Sequence, residues 1–210
     1  MVKRRLTSLL IAPRARAAPG KSGTGQERRR REDFQPLTSG DGIRLGGPAA
    51  LVRCDTRTFL DDCPPAIAEI FRYWDSLRQG SALPRRAEFR PEAVPRHLPA
   101  ILLVDVEGVD EAGVGIYRYR VVGTESVRLR GRDPTGELVR DAFFWSSGEA
   151  AIAIYEAVRT SRRHLYQTAE FVSPQGRWRS EHSILLPFSA DGETATQIMV
   201  YSLARSSRDS

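Results

Sequence analysis

The sequence predicts an α+β domain: a five-stranded antiparallel sheet with helices over one face and a further helix leading into it. Three observations carry that expectation. Segments 61–80 and 146–164 repeat apolar residues at helical spacing. Two apolar runs, 100–108 and 114–124, are split by turn residues Asp110 to Gly113. Three strand-like runs after residue 164 are split by Pro174-Gln175-Gly176 and Ala190-Asp191-Gly192. Strands gathered in hairpins around a helical interlude pair as neighbours, and the helices then bury their apolar stripes on the sheet.

The leading helix spans 64–79 within DDCPPAIAEIFRYWDSLRQG. Asp61 or Asp62 can cap it, and Pro64 and Pro65 suit its first turn. Ile67, Ile70, Phe71, Trp74 and Leu77 form one stripe, and Gly80 ends the element. Four prolines make 81–99 an irregular arm. In the first hairpin, alternation puts Tyr117, Tyr119 and Val121 on a common face. Gly131, Pro134 and Gly136 break 125–146 into short helical pieces. The helix within 146–164 starts at a Ser146 or Ser147 cap and aligns Ala151, Ile154, Tyr155 and Val158. In the last hairpins, Trp178, Ser180, His182, Ile184 and Leu186 share one face, as do Gln197, Met199 and Tyr201.

Of 210 residues, 32 are basic and 26 acidic, a net charge of +6. Residues 1–33 hold ten basic residues against three acidic ones, leaving 22 basic and 23 acidic for the remainder. The excess therefore sits in a Gly-, Ser- and Arg-rich segment, 1–50, expected to be disordered, and the body is close to neutral. Only Lys3 and Lys21 are lysines, so the arginine bias runs along the whole chain and says little about phosphate binding. Cys54 and Cys63 have neither zinc-ligand spacing nor the number for a disulfide framework, which suits a reducing cytoplasm. No apolar run approaches the roughly 20 residues that cross a bilayer, so no membrane insertion is expected. The domain is expected at 51–205, with a short disordered tail from 206.

YWDSLRQGSALPRRAEFRPEAVPRHLPAILLVDVE, followed by YRYRVVGTESVRLRGRDPTGE, combines a Tyr-Trp helix, a Leu-Pro-Arg-Arg arm, an Arg-Tyr-Arg strand and a Gly-Arg-Asp-x-Thr-Gly corner. In these motifs and in its order of elements, the chain resembles a family of compact, stand-alone bacterial PAS-domain proteins over about 60–204. The resemblance implies a PAS fold and a cytoplasmic signalling or protein-interaction module with room for a small ligand. It implies no particular ligand. The corner at Gly131–Gly136 superficially looks like a phosphate loop, but Glu137 and Leu138 stand where that loop needs Lys and Ser or Thr. Its reading is structural: Asp133 caps or makes an Asx turn, and the glycines permit positive φ.

A PAS ligand would sit between the sheet and its helices, and the candidates to line that space are Tyr117, Tyr119, Trp178, His182, Met199 and Tyr201. No cofactor is assigned. Haem needs an axial ligand in an apolar pocket, whereas His164 ends a helix beside Arg162 and Arg163 and is expected at the surface, and His97 lies in the proline-rich arm. A photoactive flavin needs a cysteine in the helical interlude, and both cysteines precede it. The expected function is non-catalytic: regulation by binding a signalling protein such as a histidine kinase, with a homodimer through the leading helix as a second use. Phe71, Tyr73 and Trp74 exceed what one buried stripe needs; they either meet a partner or cover the sheet's open edge. Two other classes stay open. An isomerase-type enzyme would draw on Glu170, Glu181, His182 and Tyr119. A single-strand binder would stack bases on Tyr117 and Tyr119 between Arg118 and Arg120, although the neutral body argues against any specific nucleic-acid partner.

Overall fold

The computed structural model describes residues 51–54, 57–80, 82–144 and 146–206. The segment expected at 1–50 lies outside the described residues, as does the expected tail except for Ser206, which ends the last strand. The strands are β1 (Leu51–Cys54), β2 (Ile101–Val109), β3 (Gly115–Val122), β4 (Leu165–Val172), β5 (Trp178–Ser189) and β6 (Ala195–Ser206). They form a single antiparallel sheet in the order β1-β4-β5-β6-β2-β3. The five expected strands are present, and β1 adds a sixth by pairing along β4, Leu51 opposite Thr168 and Cys54 opposite Leu165. The 12-residue β6 joins the two hairpins, pairing with β5 on one side and with β2 on the other.

Helix α1 (Pro65–Ser76) begins behind Pro64, whose ψ of 140° is extended. Pro65 occupies its first turn, where a missing N–H costs nothing. Neither Asp61 nor Asp62 caps it: Asp61 closes a preceding 3-10 turn, Arg57–Asp61, and the helix has no side-chain cap. The 81–99 arm makes three short 3-10 turns around its prolines. Gly123 then starts α2 (Thr124–Arg130) against this arm. Its N–H donates to the Ile101 carbonyl at 2.9 Å, and a Cβ there would stand 2.3 Å from the Pro99 carbonyl oxygen. Only glycine tolerates that approach. A one-turn helix α3 (Val139–Ala142) leads to α4 (Gly148–Ser161), which is capped by Ser147 Oγ accepting from Ala150 N at 3.1 Å.

The helices cover both faces of the sheet. On one face, α4 and α3 bury Tyr155, Ile154, Val158 and Val139 with Tyr117, Tyr119, Leu185, Ile198 and Val200. On the other, α1 and the arm bury Ile67, Ile70, Phe71, Trp74 and Phe89 with Tyr166, Ile184, Leu186, Met199 and Tyr201. Trp74 Nε1 donates to the Pro187 carbonyl at 3.0 Å, pinning α1 to β5. The surplus aromatics on this helix are thereby accounted for: Phe71 and Trp74 are buried on the sheet. Tyr73 hydrogen-bonds through its hydroxyl to the backbone of Arg90. The exposed residues of α1 are Pro65, Arg72 and Ser76.

Candidate functional site

Between the sheet and α2–α4 lies a polar passage in two parts. The outer part is a cleft of about 460 Å³ where α2, the β4–β5 hairpin and the ends of β5 and β6 meet. Its walls carry Arg128, Arg177 and Arg179 alongside Glu125 and Gln175. Ser126, Leu129, Glu181 and Ser202 form the border with an inner cavity of about 40 Å³, which runs on to Arg130, Tyr155, Gln167 and Ser183. The outer volume falls in the usual range for small-molecule sites, and the inner one has room for two or three waters or one small functional group.

The inner cavity gathers a few polar groups in an otherwise apolar lining. Ser202 donates to Glu181, and burial of that carboxyl raises its pKa against the opposing pull of Ser202 and Arg130. Arg130 donates to the Ala142 carbonyl and to the Tyr119 hydroxyl, at 3.2 and 3.1 Å, and its guanidinium lies over the rings of Tyr119 and Phe144. Gln167 Oε1 and Ser183 Oγ are buried without a hydrogen-bond partner among the described residues, and so is Nε of Arg179. A buried polar atom left unpaired costs about 1–3 kcal/mol, so three around one passage are a chemical feature of it.

The six residues expected to line a single pocket are divided between the two faces. Tyr117 and Tyr119 lie on the α4 face, where both are tied into the structure. Tyr119 holds Arg130. Tyr117 Oη donates to Glu156 Oε2 at 2.7 Å, its own pKa raised by burial and by that carboxylate. Met199 and Tyr201 lie on the α1 face, where the Tyr201 hydroxyl and His97 Nδ1 are 2.9 Å apart. His182, two residues from Ile184, shares that face and hydrogen-bonds Tyr166 at 2.6 Å. Trp178 is 56% exposed at the start of β5. The physical reason is that both faces of β5 and β6 are apolar, so alternation defines two sets of residues without saying which set meets which helix. The set that borders the passage is the other one: Arg179, Glu181 and Ser183 on β5, and Ser202 on β6. Its only sequence signal is a polar residue recurring at every second position of an apolar strand.

Three further expectations change. Arg120 is an extra residue in the β2–β3 ladder, because Leu103 pairs with Val121 but Val104 with Tyr119. This bulge turns Val121 outward, 45% exposed, and puts Val122 into the core. His164 is buried rather than exposed: Arg162 takes a left-handed φ of 60° after α4, and the reversal brings the His164 ring against Phe59, Phe71 and Trp74. Tyr117 and Tyr119 are buried beneath α4 and offer no stacking platform, while Arg118 is paired with Glu107 and the Gly136 carbonyl. The corner at 131–136 is structural as expected. Asp133 Oδ1 accepts from Thr135 N and Oγ1, Gly131 and Gly136 have φ of 77° and 86°, and the corner pairs onto β3 through Tyr119.

Glu181 and His182, neighbours in sequence, point to opposite sides of the sheet, and Glu170 is exposed. The acid–base group considered from the sequence does not converge. Cys63 packs with the α1 cluster, away from the passage. Among the described residues no helix is long and apolar enough to cross a membrane.

The sequence pattern of a known family, described as PAS domain, matches residues 63–201. No curated protein matches the chain. Among solved structures, that of an RNA-binding light-oxygen-voltage receptor aligns at 15% identity with a TM-score of 0.43. The alignment covers 78% of this chain, which spans 40% of that structure's length.

Proposed function

The chain belongs to the PAS domain family, whose members serve as sensory and signalling modules, and from that premise we propose that it is a non-catalytic regulator. It holds a small molecule between the sheet and α2–α4 and passes occupancy on to a partner protein. The observation that carries this reading is the polar passage, in which Gln167 and Ser183 lie buried without partners in an otherwise apolar layer. A stable core has no use for such atoms, whereas a binding site does. Separation of Glu181 from His182 favours binding over acid–base turnover. Residues 51–205 are the working unit, in the cytoplasm, with 1–50 a basic appendage. Of the residues expected at the site, Tyr119 acts at one remove by holding Arg130. The partner is a signalling protein such as a histidine kinase, met on the outer face of α1; a homodimer through that face is the competing use.

Hydrogen exchange on the purified chain, before and after equilibration with a small-molecule extract of the cells that express it, tests the reading. Slowed exchange in α4 together with a change in α1 is expected, because ligands act by favouring one arrangement over another. Exchange unchanged in both helices overturns ligand sensing. Turnover of an extract component that is lost in Glu181→Gln overturns the non-catalytic assignment.

A further inference from the structure

We infer that the passage is selective for a small hydroxycarboxylate anion, its carboxylate held at the arginine-lined cleft and its hydroxyl at Gln167 and Ser183. This rests on the sensory reading and specifies its ligand. The cleft carries three guanidiniums, Arg128, Arg177 and Arg179, against two carboxyls, Glu125 and Glu181. Among the described residues none of these arginines makes an ion pair, whereas Arg57, Arg96, Arg118, Arg132, Arg140 and Arg159 all do. Glu181 is buried at the border with the inner cavity, where burial raises its carboxyl pKa and Ser202 and Arg130 oppose the rise. Arg179 is the most telling of the three, because its Nε is buried and unpartnered beside the cleft. A guanidinium offers several N–H donors in a fixed fork that fits a carboxylate.

The floor of the passage asks for something different. Gln167 Oε1 and Ser183 Oγ need a partner that can donate, and the Gln167 amide group and Ser183 hydroxyl can also donate in return. An alcohol does both, and it fits an inner cavity of about 40 Å³. A carboxylate at the mouth and a hydroxyl at the floor together describe a hydroxy acid. Arg130, already fixed over Tyr119 and Phe144, adds a positive charge to the lining of the inner cavity.

Calorimetric titration of the full chain with malate, succinate and sulfate at one ionic strength tests this. Malate and succinate differ only in the hydroxyl. Malate is expected to bind about tenfold tighter than succinate, the difference made by satisfying buried polar groups. Arg179→Gln is expected to weaken both acids about tenfold or more, and Arg177→Gln, altering an exposed residue, to weaken both while leaving the fold intact. Ser183→Ala and Gln167→Leu are expected to bring malate down to the level of succinate and leave succinate unchanged. Equal binding of malate and succinate, binding no tighter than that of sulfate, or binding indifferent to both arginine variants overturns the inference. The two readings fail separately. If neither acid binds but an extract component still slows exchange in α4, the ligand class is wrong and the sensor stands. If malate binds as expected and exchange in α1 and α4 does not respond, the chemistry stands and the sensory role falls.

Discussion

On β5, Ile184 and Leu186 share a cluster with Trp74 and Phe71, while Glu181 and Ser183, one residue out of phase, border a polar cavity. The two sides of one strand thus do different work. The α1 side is filled with large rings: Phe59 stacks on Tyr166 at 5.0 Å and meets Phe71 edge-on at 5.1 Å. The α4 side gives up some of that packing to polar atoms, two of them unpaired. The large buried rings gather beneath α1 and the proposed ligand site lies beneath α4, so substitutions on the two sides should have opposite signatures.

The largest expected effect is on the α1 side. Trp74→Ala removes a fully buried ring and the bond to Pro187, and should cost about 3–5 kcal/mol in urea unfolding. A loss below about 1 kcal/mol would mean that α1 does not anchor the sheet. Next comes Gly123, where arm, sheet and α2 meet. Gly123→Ala should cost about 1–3 kcal/mol because its Cβ has no room beside the Pro99 carbonyl, although its φ of −63° is one alanine readily adopts. A neutral result would show that the arm moves freely away from α2.

On the α4 side the sign reverses. Ser183→Ala deletes an unpaired buried hydroxyl and should raise the stability of the ligand-free protein by about 1 kcal/mol while weakening ligand binding. A loss of stability of similar size would show that the hydroxyl is satisfied in the folded protein.

The smallest effect is a matter of pH. Burial alone would raise the Glu156 pKa, but Arg159, Tyr117 and the Gly115 amide outweigh it and hold the carboxyl at about 2, below its ordinary 4.5. A depressed folded-state pKa means that the ionised carboxylate supports folding above about 4.5 and that this support fades as pH falls toward about 2. Glu156→Gln should therefore lower stability at neutral pH, where the ionised carboxylate is lost, flatten the acid limb of the stability curve within that window and change little at its acid end. An acid limb of unchanged slope would show that the Tyr117–Glu156–Arg159 contacts do not couple α4 to β3.

Much of this architecture was legible from local pattern. Alternation in 100–124 and 165–205 marked the strands, turn residues marked the hairpins, and the Ile67–Trp74 stripe marked the buried side of α1. Asp133 and its flanking glycines announced a turn, since the Asx bond and positive φ are properties of a few adjacent residues. The short β1 strand was not legible, because four residues acquire strand character only by pairing with β4. Which face of β5 and β6 meets which helix was decided by tertiary packing alone. Both sets of alternating side chains are apolar enough to be buried, so Met199 and Ile198 are equivalent in the sequence until α1 covers one and α4 the other. The bulge at Arg120 and the reversal that buries His164 depend in the same way on residues distant in the chain. Local sequence determined the elements and their order, because backbone preference and periodicity act over a few residues. Long-range packing determined the site, because a cavity exists only where separate elements fail to fill the space between them.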